Sequence, residues 1–157
     1  MTGPPLAIDL DGALADTRPL WRDWLRSAAA LTGLDPASLP EDRGRAEAEL
    51  DRMGAGNWRT LLERFGEERA PVYLRRDAAV SAALRTLSAS GRRLGVFTDA
   101  PEPLARVALA QLGAARRVDA LETGAGALER LLATFGESAV VVRTPAELAE
   151  EAAKAAA

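Results

Sequence analysis

The chain of 157 residues contains no cysteine and no histidine. Thiol catalysis, Ser-His-Asp triads and zinc centres built on Cys or His are therefore excluded together. Without cysteine the sequence also carries no record of a redox compartment. Lysine is almost absent. Arginine supplies 19 of the 20 basic residues, and the single lysine is Lys154, close to the C-terminal end. With the heavy use of alanine, this bias reads as GC-rich bacterial coding. Aromatic residues make up only 4%. No apolar run approaches the about 18 residues that a membrane span needs. The opening MTGPPLAIDLDG has neither a basic region nor a long apolar core, so no signal peptide is expected and the cytoplasm is the default location. The net charge of −3 and the lack of a dense basic stretch speak against a nucleic-acid surface.

What remains is the composition of a globular domain, 48% hydrophobic and 27% charged, long enough to bury a real core. Leu6 to Leu10 reads as a short buried strand between Pro4-Pro5 and Gly12. From Thr17 to about Arg76 the rhythm is helical. One helix starts at an Asp16 or Thr17 cap, carries Pro19 in its first turn and stops at Gly33. One or two more follow, with a break near Gly54 to Gly56. All three tryptophans lie in this stretch, and the pair Trp21 and Trp24 reads as helical core rather than as a ligand platform. After PVYLRR, helices and strands alternate. Helices are expected at Asp77–Ser90, Pro103–Leu112, Ala127–Phe135 and from Pro145 onward. Strands are expected at Leu94–Phe97, Val118–Glu122 and Ala139–Val142. Such alternation predicts an α/β fold, a parallel sheet covered by helices. The division expected is a core of residues 1–16 and 77–157 with an all-helical insert at 17–76. The alanine-rich end AEEAAKAAA reads as a segment prone to fraying.

In a parallel sheet, ligands sit at the carboxyl ends of the strands. Three predicted strand ends carry polar residues: Asp9-Leu10-Asp11-Gly12, Thr98-Asp99 and Arg143-Thr144. Asp9 and Asp11 are two apart and start on one side of the chain. Two close carboxylates repel unless a cation lies between them, and a hard cation such as Mg²⁺ is the usual answer. One carboxylate is then free to attack an electrophile while the other handles protons. Equally, the pair would serve merely to cap a turn.

LAIDLDGALADT resembles the first motif of the phosphatase-type branch of the haloacid dehalogenase-like (HAD) superfamily, a hydrophobic strand followed by DxDGxLxDT. LGVFTDAP resembles the second motif, and the helical insert is similar to the small cap that the family carries there. The resemblance runs from Leu6 to about Ala153. It implies a Rossmann-like core, Asp9 as nucleophile forming an aspartyl-phosphate, and Asp11 as general acid/base. It further implies Thr98 and Asp99 at the phosphate, and Mg²⁺ held by Asp9, Asp11 and the Leu10 carbonyl. It would make the chain a phosphoric monoester hydrolase acting on a small phosphorylated metabolite.

The second half departs from that pattern. The third motif should bring a lysine, yet VDALETGAGALERLL has none, and Arg130 is the stand-in. The fourth motif should bring a metal-binding aspartate; VVVRTPAEL places Arg143 there, with Glu147 as the later acid. Glu147 or Asp99 would have to replace the missing ligand, and Glu122 is a substitute acid. A guanidinium at that position repels a metal ion and attracts Asp9 and Asp11. Mg²⁺ binding is therefore expected to be weak or lost, and phosphatase activity impaired. The competing expectation is a catalytically inactive pseudo-phosphatase that binds a ligand or a protein partner.

Overall fold

The computed structural model describes residues 2–157. Four parallel strands form one sheet: β1 (Leu6–Asp9), β2 (Leu94–Thr98), β3 (Ala120–Thr123) and β4 (Val140–Val142), in the order β3-β2-β1-β4. The register pairs Leu6 with Leu94 and Val140, and Gly95 with Ala120. Seven α-helices surround it. Three lie between β1 and α4 (Ala78–Ala89): α1 (Arg18–Thr32), α2 (Arg43–Arg52) and α3 (Trp58–Tyr73). The others are α4 (Ala78–Ala89), α5 (Glu102–Gln111), α6 (Ala127–Phe135) and α7 (Pro145–Ala156). This is the α/β parallel sheet covered by helices that the alternating pattern implies, and the Rossmann-like core that the resemblance implies.

The two-residue period of the strands sorts their side chains between the two faces. Ala7 and Phe97 join Ala127, Leu131 and Phe135 in an apolar cluster under α6. Leu6, Ile8, Leu94, Val96 and Val142 belong to the larger cluster on the opposite face. That larger cluster continues without a break into the helical segment, through Leu20, Trp24, Leu50 and Leu62. Trp21 and Trp24 lie 5.2 Å apart between ring centroids, Trp24 and Trp58 6.0 Å. All three are buried, in keeping with the core role expected for the first two.

Local chemistry sets the boundaries. Asp42, Asp77 and Thr144 cap α2, α4 and α7 by accepting from Arg45, Val80 and Glu147 backbone N–H groups at 2.9, 3.0 and 3.1 Å. The break near Gly54 to Gly56 separates α2 from α3. The alanine-rich end differs from expectation: α7 runs to Ala156 and Ala152 is buried. The physical reason is an anchor. Glu151 accepts from Arg92 at 2.8 Å and from Lys154 at 3.1 Å, which ties the last helix to the base of the sheet.

Gly95 lets α6 approach β2. A Cβ there would stand 2.6 Å from the Phe135 ring and 2.7 Å from Leu131 Cδ1. Gly95→Ala is expected to lower stability by about 1–3 kcal/mol through overpacking, read as a shift of the urea midpoint at unchanged m-value.

Candidate functional site

The carboxyl end of β1 leads into a single wide turn, Leu10–Leu14, whose backbone is non-helical at Asp11 and Gly12. Gly12 has φ 128°, and a Cβ there would meet the Arg143 carbonyl at 2.7 Å. Glycine is thus required both by the backbone and by the close passage of the chain after β4. The turn points Asp9 and Asp11 in different directions. Asp9 borders a hollow of about 280 Å³ between the strand ends and the Gly124–Gly126 loop. Asp11 is 6% exposed and faces inward.

Every oxygen of Asp11 is engaged. Its Oδ1 accepts from the Thr17 backbone N–H at 2.6 Å and from the Thr17 hydroxyl at 2.7 Å. Its Oδ2 accepts from the Thr98 hydroxyl at 3.0 Å and from Arg43 Nη2. Arg43 comes from the first residue of α2 and its side chain is only 2% exposed. The same guanidinium donates to Asp99 Oδ1 through Nε at 3.1 Å and Nη2 at 2.8 Å, and to Thr17 Oγ1 through Nη1 at 2.6 Å. The Arg43 backbone N–H donates to Asp99 Oδ2 at 3.1 Å. Close approach of α2 makes this possible. Gly44 lies so near the loop that a Cβ would be 2.6 Å from the Ala125 nitrogen.

The charges respond accordingly. Burial works against ionisation of Asp11, but Arg43 beside it and the Thr17 donors outweigh burial and hold its carboxyl below the usual range. Burial would also discharge Arg43, yet Asp11 and Asp99 keep it firmly protonated. Asp9 shifts the other way: burial and the nearby Asp11 charge raise it, against a lowering pull from Arg143. Arg143 Nη1 stands 3.5 Å from Asp9 Oδ2, with the guanidinium half exposed and 5.4 Å from the centre of the Phe97 ring.

Some of the residues singled out in the sequence come together here and others do not. Asp9, Asp11, Thr98, Asp99 and Arg143 all line the hollow. The Thr98 hydroxyl is spent on Asp11 while its oxygen accepts from the Ala100 N–H at 3.1 Å. The Asp99 carboxylate accepts from the Arg43 guanidinium and backbone N–H. Arg130, the expected stand-in for lysine, does not line the hollow. It pairs with Glu122 at 3.0 Å and donates to the carbonyls of Thr123, at 2.5 Å, and Ala125, so it braces its own loop. Glu122, the expected substitute acid, is thereby occupied as well. Glu147, the expected metal ligand, closes the first turn of α7, accepting from the Arg143 N–H at 3.1 Å. Arg43 is the residue that sequence reasoning missed. An arginine at a helix start gives no period or motif signal; only the adjacent small Gly44 hints at close packing.

The donor set does not fit a divalent ion. Asp11 has no oxygen free, the Leu10 carbonyl accepts from the Ala15 N–H at 3.0 Å, and Asp9 faces a guanidinium. Among the described residues no group of three or more acidic side chains is arranged to hold a metal. Counting Arg43 behind the wall, Asp9, Asp11, Asp42 and Asp99 face Arg18, Arg43 and Arg143. The balance is slightly negative and poorly disposed toward a dianion.

The two aspartates should separate in stability measurements. Asp11→Asn leaves the buried Arg43 poorly compensated and is expected to cost about 3–5 kcal/mol. Asp9→Asn removes a half-buried carboxylate already disfavoured by its surroundings and should change stability by less than about 1 kcal/mol. Because the folded-state pKa of Asp11 is depressed, its contribution is present above the unfolded carboxylate range, about 3.9, and is lost as pH falls through the lower folded value. Urea denaturation of the three proteins from pH 7 down to pH 3 checks both the ranking and the loss at low pH.

No family model matches the chain, and no curated protein matches its sequence. Solved structures do match in three dimensions. CbbY from Rhodobacter sphaeroides, in complex with phosphate, superposes with TM-score 0.66 at 18% identity, covering 90% of this chain and 77% of that one. A HAD-superfamily hydrolase of subfamily IA, variant 1, from Geobacter sulfurreducens gives 0.56 at 19% identity over 96% and 86%. A HAD phosphatase from Thermococcus onnurineus gives 0.53 at 16% over 94% and 97%. At these identities the likeness speaks to architecture alone: the chain has the Rossmann-like α/β fold of these HAD-superfamily structures.

Proposed function

We propose that this chain is a phosphatase-type HAD-like protein with Asp9 in the nucleophile position and with aspartyl-phosphate chemistry that is impaired. Residues 17–76 serve as its cap, and its ligand is a small phosphorylated metabolite entering the hollow beside Asp9. Support comes from Asp9 at the carboxyl end of the central strand, exposed to that hollow, with Thr98 and the Gly124–Gly126 loop around it. The observation that carries the impairment is the Arg43–Asp11 pair. A general acid must hold a proton that it can release to the leaving group, and a carboxylate kept ionised by a buried arginine does not. Asp9 itself attacks a phosphate dianion only against mutual repulsion, and the nearest cation, Arg143, neutralises the nucleophile rather than the substrate.

The second reading is a pseudo-phosphatase that binds its ligand without turnover. It is favoured by the same four-way engagement of Asp11.

Hydrolysis of a generic aryl phosphate separates the two readings. Impaired chemistry predicts slow release of the phenol that Mg²⁺ does not accelerate and that Asp9→Asn abolishes. The missing acid alone accounts for a deficit of about 10²- to 10⁴-fold. No release above the Asp9→Asn background selects the pseudo-phosphatase. Fast, Mg²⁺-dependent turnover overturns both.

A further inference from the structure

We infer that Arg43 and Arg143 act as a resident cation pair in the place of a divalent metal ion, and that Arg43 in addition latches the helical segment shut over the sheet. This deepens the reading of Asp9 and Asp11 as the site, but it concerns charge and closure, not turnover. Two carboxylates at the end of a central strand demand positive charge. Here that charge comes from the chain itself. Arg43 serves Asp11 and Asp99 from within, and Arg143 serves Asp9 from the rim, 3.5 Å away. Together they supply two positive charges, the one on Arg43 fixed in the interior.

Fixed charge differs from a bound ion in two ways. First, it does not leave. A divalent ion entering the hollow would have to take Asp11 Oδ2 from Arg43, stranding a guanidinium that is 2% exposed. It would also lie beside Arg143 and be repelled by it. Second, Arg43 ties together parts of the chain that are distant in sequence. Its backbone and side chain reach Asp99 at the end of β2, and its guanidinium reaches Asp11 after β1 and Thr17 before α1. With Gly44 seated on Ala125, the start of α2 is held from both sides. Moving α2 away from the sheet would break all of these bonds at once and take from Asp11 and Asp99 the guanidinium that compensates them. Ligand access is therefore left to the hollow at Arg143 and the Gly124–Gly126 loop, with α2 as a fixed wall.

Mn²⁺ titration of the full chain, followed by electron paramagnetic resonance, tests the first half without reference to catalysis. The native chain is expected to show no saturable binding at millimolar Mn²⁺; saturable binding that Asp9→Asn removes overturns the inference. The double variant Arg43→Gln/Arg143→Asp restores a carboxylate and frees Asp11, and should bind Mn²⁺ at least about tenfold more tightly than the native chain. A folded double variant, judged by circular dichroism, that remains silent overturns the inference. If that variant does not fold, Arg43→Lys decides, since it keeps the charge but loses the planar fork. Amide exchange along Arg43–Arg52 should then be at least about tenfold faster while Ala127–Phe135 is unchanged; unchanged exchange in α2 overturns the latch. Failure of the aryl phosphate assay leaves these readouts untouched, so the two proposals fail separately.

Discussion

The buried guanidinium of Arg43, shared between Asp11 and Asp99, is the interaction on which the site and the seating of the helical segment both depend. A buried ion pair is poor evidence for extra stability, because desolvation offsets much of the attraction. Its consequence is constraint. Once Asp11 is inside and ionised, Arg43 must stay, α2 must stay against the Gly124–Gly126 loop, and Thr17 must hold its hydroxyl between them. Geometry that would otherwise be open to a moving helix is thereby fixed.

The same constraint divides the chemistry of two aspartates that look equivalent on paper. Asp11 turns inward, gains four donors and is held ionised. Asp9 stays at the surface of the hollow, is raised by burial and by its neighbour's charge, and pairs with Arg143 over the longer distance of 3.5 Å. One turn of backbone, made possible by Gly12 passing close to the Arg143 carbonyl, separates a structural carboxylate from an accessible one. A scaffold hosts a function only as far as its site permits, and this site offers one accessible carboxylate with a guanidinium beside it.

Much of the architecture is legible in the sequence because it rests on local chemistry. Ala127–Phe135 is bounded by glycines and falls where the pattern places it, and Thr144, Asp77 and Gly33 mark helix ends by capping. The strands are short, so their ends are displaced by a residue or two: β1 ends at Asp9 rather than Leu10, and β3 begins at Ala120 rather than Val118. The C-terminal helix persists where composition suggests fraying, because Glu151, Arg92 and Lys154 anchor it. That anchor joins residues far apart in the chain, and no window of sequence contains it.

What the sequence by itself determined is the alternation that makes a parallel sheet and the polar residues at three strand ends. These follow from periodicity, caps and residue chemistry read along the chain. Only the tertiary structure decided which charges meet. Arg43 lies 32 residues from Asp11 and 56 from Asp99, and it reaches both because Gly44 lets α2 sit directly on a loop. Arg130 and Glu147 have the right charge for the positions expected of them, yet local partners hold them: a neighbouring carboxylate and two carbonyls for the one, the first turn of α7 for the other. Side-chain charges act over a few ångströms, and distance in space is set by packing rather than by order in the chain.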